Sequence, residues 1–296
     1  MKKITLSLCV LFAMAMFSVP AHADFFDNMK NFHLIWLDAD TEVEYDITKK
    51  IVQDLRIDDV NTKLYVWDNT YTFPGASGKG YFGQIGGFHS VAVATGSTWS
   101  GLGFCLVDES AKEVNLTTLT DDYVFHMAYK SNNDRAHQIQ VFGGKETQAR
   151  FAIGVGTQGD EKPENVTPTF EKGKWQLLEL SVARLKELGF QNRAAFKGNY
   201  FVTLSGAANN DLMLDGVFFY QPASSGIDNT TNDDKLDVLV TASFIEVFNP
   251  LGTLELYNLA GLKVRSTNEK IMDIEDLTKG IYILKSGNVT KKVVVK

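Results

Sequence analysis

Between Asp24 and Gln221 the apolar residues recur at alternate positions or in short runs, and each run is closed by glycine, asparagine, aspartate or proline. Alternation matches the pleat of a β-strand, whose successive side chains point to opposite faces. Residues 34–37, 64–67, 91–94, 123–127, 139–142, 151–153, 177–180, 200–204 and 214–220 all read as strands. Between them stand Pro74-Gly75, Gly86-Gly87, Asn132-Asn133-Asp134, Gly143-Gly144 and Asn209-Asn210-Asp211, residue types that suit tight turns. So many short strands in about 200 residues predict an all-β sandwich or jelly roll.

Two segments read as helix instead. Val182, Leu185 and Leu188 share one helical face, and Gly189 follows as a stop. Residues 48–55 give a weaker helical pattern through Ile51, Val52 and Leu55. Asp38, Asp40, Glu42 and Glu44 alternate, which predicts the solvated face of a strand.

Hydrophobic residues make up 44 % and charged residues 22 % of the 296, enough apolar material for a packed core. The formal charge is −7, and no basic stripe offers itself to a phosphate backbone, so nucleic acid is not an expected partner. The chain opens with Met1-Lys2-Lys3, an apolar stretch over 4–19 and the small-x-small triplet Ala21-His22-Ala23. That order predicts a signal peptide over 1–23, with the mature chain starting at Asp24. The apolar stretch falls short of the ~20 residues that span a bilayer, so no membrane span is expected after cleavage. Cys9 lies in that leader. Cys105 is then the one mature thiol, and its apolar neighbours over 102–107 predict a small buried hydrophobe rather than a nucleophile.

After Gln221 the composition changes. Residues 222–242 are rich in Ser, Asn, Asp and Thr, which predicts a linker, and strand patterns return over 243–296. Here Leu256-Tyr257-Asn258-Leu259-Ala260-Gly261-Leu262-Lys263-Val264, then Leu277 and Lys279-Gly280-Ile281-Tyr282-Ile283-Leu284-Lys285, lead to the closing Thr290-Lys291-Lys292-Val293-Val294-Val295-Lys296. In order and spacing this resembles the C-terminal sorting domain of the type IX (Por) secretion system of Bacteroidetes. The resemblance implies a small β-sandwich, the secretion machinery as partner, and an outer-membrane surface or extracellular destination.

The larger segment, 24–221, is similar in organisation to galactose-binding-like, jelly-roll carbohydrate-binding modules of exported Bacteroidetes proteins. The likeness rests on 99–104, 121–131, 173–180 and the closing Leu214-Asp215-Gly216-Val217-Phe218-Phe219. It implies an oligosaccharide or polysaccharide ligand. Sugar rings stack their C–H faces on aromatic rings, and their hydroxyls need amide or charged partners. Trp67 and Trp99 stand beside Gly, Ser, Asp and Asn, so these two, with Tyr71 as an alternative to Trp67, are the candidate stacking residues. Arg135, with Asn69 or Gln138, is the candidate hydroxyl partner, while Trp36 and Trp175 are assigned to the core.

No catalytic motif is recognisable: the histidines are scattered without zinc spacing, and Gly154-x-Gly156 lacks the helix a dinucleotide site requires. The expectation is a non-catalytic binding module without a cofactor. The alternatives are a glycoside hydrolase or lyase on the same fold, and a structural or adhesive surface protein. Jelly rolls of this kind often hold calcium, for which Asp215 is one candidate ligand, although a structural strand-end acid is the commoner explanation.

Overall fold

The structure, a computed structural model, describes residues 23–94, 96, 99–106, 113–144, 146–155, 162–167, 170–193, 196–205, 210–222 and 236–295. The expected leader up to residue 22, with Cys9, together with Gly156 and most of the expected linker, lies outside these residues. The main body runs α1 (Ala23–Asp27), β1 (Met29–Trp36), α2 (Ala39–Glu44), β2 (Ile51–Asp54), β3 (Thr62–Val66), β4 (Tyr71–Thr72), β5 (His89–Val93) and β6 (Ser100–Leu106). It continues through β7 (Val124–Lys130), β8 (His137–Phe142), β9 (Gln148–Ile153), β10 (Asn165–Thr167), β11 (Gln176–Ser181), α3 (Val182–Glu187), β12 (Asn199–Ser205) and β13 (Asp211–Pro222).

These strands form two stacked sheets. The seven-stranded sheet has the order β11-β7-β13-β1-β2, with β5 added to β13 and β4 to β5. The six-stranded sheet has the order β10-β9-β8-β12-β6-β3. Leu102, Phe104, Ile139, Val141, Phe151 and Phe201 of the six-stranded sheet meet Phe125, Met127, Leu214, Val217 and Phe219 of the other in one core. The protein is an all-β sandwich, as its alternating pattern predicts. α3 covers one end: its N-cap Ser181 accepts a hydrogen bond from the Arg184 amide at 2.9 Å, and Val182 and Leu185 are buried.

A second apolar layer lies on the outer face of the seven-stranded sheet. Phe26, Phe32, Leu34, Phe82, Phe218 and Tyr220 cluster there with Leu239 and Phe244 from the C-terminal part. That part contains β14 (Val238–Val240), β15 (Phe244–Val247), β16 (Leu254–Asn258), β17 (Lys263–Thr267), β18 (Ile271–Asp273), β19 (Gly280–Ser286) and β20 (Val289–Val295). They make a three-stranded sheet, β14-β15-β18, and a four-stranded sheet, β17-β16-β19-β20, around Ile245, Leu254, Leu256, Met272, Tyr282, Leu284 and Val293. Gly287, at φ 58, turns β19 into β20 through a two-residue hairpin between the paired Ser286 and Val289.

Three local expectations need correction. Asp38 to Glu44 is not a strand face: Asp38 caps α2, its carboxylate accepting from the Thr41 amide at 2.9 Å, and Asp40 and Glu42 occupy the first turn. The helix expected over 48–55 shrinks to a single turn, Thr48–Lys50, because Ile51–Asp54 pairs in parallel with β1. Residues 236–242, placed in the linker, carry buried Leu236 and the strand β14. Cys105 is buried as expected, and burial pushes its thiol pKa up.

Candidate functional site

The outer face of the six-stranded sheet is built by strand register. Leu102, Phe104 and Leu106 of β6 point into the core, so Gly101, Gly103 and Cys105 point away from it. One row across this face runs through the paired positions Tyr65, Gly103, Val202, Gln140 and Arg150. The adjacent row runs through Gly101, Leu204, Gln138 and Ala152. At ~4.8 Å between strands, the first row spans about 19 Å.

Trp67 covers the two glycines. A Cβ at Gly103 would stand 2.7 Å from the Trp67 ring, and one at Gly101 would stand 2.9 Å from it and 3.0 Å from the ring of Trp99. Only hydrogen fits beneath the indoles at these positions. The turn Trp67–Asn69 holds the first ring in place: the Thr70 hydroxyl donates to the Trp67 carbonyl at 2.7 Å and accepts from the Gly101 amide at 3.0 Å. Asp68 and Asn69 take positive φ, 49° and 53°, to make that turn. Tyr65 meets Trp67 edge to face at 5.4 Å, with the Lys63 ammonium 5.7 Å from the Tyr65 ring centre. Tyr65 and Trp99 are each 45 % exposed.

The structure thus gathers Trp67, Trp99, Asn69, Arg135 and Gln138 at the end of the sheet where β3 stops and β6 and β8 begin. Asn69 and Arg135 are exposed at its rim, and Gln138 is only 5 % exposed. Tyr71 does not belong with them. It pairs with Val93 inside the sandwich and is 4 % exposed, so no sugar ring can reach it. Trp175, assigned to the core, stands half-buried at the sandwich surface, its indole Nε1 donating to the Lys79 carbonyl at 3.0 Å. Tyr65, Gln140 and Arg150 are face residues that the sequence reading does not single out. The alternation Tyr65-x-Trp67 opposite Gly101-x-Gly103 is the signal that points to them.

A second polar feature lies on the far side of the molecule. Asp215 is buried at a β-bulge of β13, and its Oδ2 accepts from the Tyr81 amide at 2.6 Å and the Phe82 amide at 3.4 Å. Its Oδ1 and the Oδ2 of Asp38 are both buried without a hydrogen-bond partner. Burial raises the Asp215 carboxyl to about 7, the backbone amide of Tyr81 opposing and the charge of Asp38 adding to the shift. A Cβ on Gly80 would come 2.6 Å from Asp215 Oδ2, and one on Gly87 would come 2.9 Å from the Asp38 carboxyl carbon. Two carboxylates with orphaned oxygens are thus hemmed in by glycine backbone, and among the described residues no group of three or more His, Cys, Asp or Glu could hold a metal ion.

The C-terminal part sits against β11, leaving a cleft of about 940 Å³ lined by Tyr81, Trp175, Glu179, Ser243, Phe244 and Glu275, among others. Its β16–β17 turn, with Gly261 at φ 80, and the strand entered through Gly280 carry the motif noted in the sequence. Residues 232–296 match the family described as the secretion system C-terminal sorting domain. They are such a sorting domain. The match begins ahead of Ser243, in agreement with buried Leu236 and β14. A sorting domain of this kind marks exported cargo, bound for the cell surface or the extracellular space. Among the described residues, no helix is long and apolar enough to cross a membrane.

No curated protein matches the chain in sequence. Among solved structures, an exo-β-agarase is similar at 13 % identity over 59 % of this chain and 24 % of that one, with a TM-score of 0.35. SGBP-B from a xyloglucan utilization locus in Bacteroides uniformis is similar at 10 % identity over 53 % of this chain and 46 % of that one, TM-score 0.31. The family 11 carbohydrate-binding module of a Clostridium thermocellum cellulosomal cellulase is similar at 14 % identity over 55 % and 89 %, TM-score 0.29. The matched part is thus less than half the length of the first two proteins.

Proposed function

We propose that the sandwich is a non-catalytic carbohydrate-binding domain, carried to the cell surface or beyond by its sorting domain and by a signal peptide cleaved before Asp24. Sugar rings stack on Trp67, Trp99 and Tyr65, and hydroxyls are met by Gln140 and Arg150 across the sheet and by Asn69 and Arg135 at the rim. The observation that carries this reading is the packing of Trp67 and Trp99 over Gly101, with Trp67 also over Gly103. Glycines under two indoles recess the floor between flanking side chains, which gives an extended ligand a shallow aromatic trough. The row from Tyr65 to Arg150 offers room for several rings side by side.

Binding rather than hydrolysis is favoured by the composition of the two rows. A glycosidase needs two carboxylates flanking the scissile bond, and these rows present aromatic, amide, aliphatic and basic side chains. Titration of the mature chain with a panel of neutral and acidic polysaccharides tests the reading, with reducing-end release followed in the same samples. Saturable binding without new reducing ends supports it. Release of reducing ends that survives purification would replace it with the hydrolase alternative.

In the same reading Asp38 and Asp215 hold a structural calcium ion. The ion would offset their mutual repulsion and tie the end of β1 and the 79–87 loop to β13.

A further inference from the structure

Glu179 lies on β11, at the edge of the seven-stranded sheet, and is 6 % exposed. Its Oε1 accepts from the Tyr220 hydroxyl of β13 at 2.8 Å, and its Oε2 accepts from the Ser243 hydroxyl at 2.7 Å. Tyr220 belongs to the sandwich and Ser243 to the sorting domain, so one carboxyl group joins the two. Ser243 is presented by a tight turn in which the Thr241 hydroxyl accepts from the amides of Ser243 and Phe244, at 3.2 and 2.9 Å. Beside it, Leu239 and Phe244 complete the apolar layer of Phe26, Phe82, Phe218 and Tyr220. A shared apolar cluster and a shared buried carboxyl thus join the sorting domain to the sandwich.

The groups around Glu179 supply little positive charge. From the sandwich it faces the Tyr220 and Tyr81 hydroxyls and the ring of His126, its cross-strand partner, which stacks on Phe218 at 4.4 Å. From the sorting domain it faces Glu275. One turn along, buried Glu246 of β15 meets Ser181, with Glu187, Lys270 and Arg184 nearby. Burial raises Glu179, Glu246 and Glu275 above the ordinary carboxylate value of 4.5, and hydrogen bonds from Ser243 and Tyr220 only partly oppose this at Glu179.

We propose that Glu179 latches the sorting domain to the sandwich by bridging Tyr220 and Ser243, so that docking is firm in acid and loosens as pH rises. Both hydroxyl partners can reverse from donor to acceptor, so the latch keeps its hydrogen bonds when the carboxyl is protonated. The sign follows from linkage. A carboxyl whose pKa is raised in the docked state stabilises docking fully below its free value of 4.5, and that contribution is lost as pH rises through the raised value.

Hydrogen exchange of the full chain across pH, corrected for intrinsic rates, tests the latch. Residues 236–247 report docking, and residues 199–205 of β12 serve as the internal control. In the wild type the opening of 236–247 should grow as pH rises, with Glu246 and Glu275 adding to the slope. Glu179→Gln keeps the shape and removes the titration, so its slope should fall by one linked proton, about tenfold less opening per pH unit. Equal slopes in the two proteins, or a flat wild-type profile, overturn the proposal. Should Glu179→Gln fail to fold, Ser243→Ala takes its place: opening of 236–247 must increase while 199–205 stays protected. Unchanged opening there overturns the latch as well.

Discussion

The indole of Trp67 occupies the space that a side chain at Gly103 would need, one strand away in the sheet. The relationship holds the ring close against the sheet at these two positions. Gly103→Ala should therefore lift the indole. We expect a loss of about 1–3 kcal/mol of stability from overpacking, together with weaker polysaccharide binding. Chemical denaturation and titration of the same variant check both; a neutral variant would mean that the ring is mobile.

Trp99 offers the cleaner test of stacking, being half in solvent. Trp99→Ala should leave the melting temperature within a few degrees of wild type and weaken binding about fivefold, the equivalent of ~1 kcal/mol for one stacked ring. Unfolding of the variant would assign Trp99 to the structure rather than to the ligand.

For the Asp38–Asp215 pair, calcium should raise the melting temperature of chelator-treated protein, and Asp215→Asn should abolish that response. Without the ion, the raised Asp215 pKa of about 7 makes the neutral carboxyl the stabilising form. Apo stability should then decline as pH rises from the ordinary aspartate value of 3.8 through about 7. A calcium response that survives in Asp215→Asn would place the ion elsewhere.

Gly216 adopts φ 54 at the same bulge, and a Cβ there would stand 2.4 Å from the Phe82 ring. Gly216→Ala combines backbone strain with a clash against the apolar outer layer, so a loss of at least ~2 kcal/mol is expected. Urea denaturation measures it, and a change below ~0.5 kcal/mol would contradict the close approach.

The strands were legible because alternation is a local property: 64–67, 139–142 and 200–204 show it without help from the rest of the chain. Asp38 to Glu44 deceived because acids at alternate positions also suit the first turn of a capped helix. The face was only half legible. Trp67 and Trp99 announce themselves by their polar neighbours, but Gln140 and Arg150 join them through pairings with β12 and β8 that no local pattern specifies. Tyr71 shares the polar surroundings of Trp67 and still lies in the core, because its strand β4 pairs inward with β5. The leader over 1–23 lies almost wholly outside the described residues and stands as a proposal.

Phe26, near the start of the body, packs in the same layer as Leu239 and Phe244, more than two-thirds of the chain away. Met29 likewise pairs with Pro222. Contacts so distant along the chain close late and slowly, since the intervening segments must be ordered first. The layer cannot be completed until the sorting domain has been synthesised. A chain with this wiring stays incompletely packed for longer, which gives any export apparatus a wider interval in which to take hold of it.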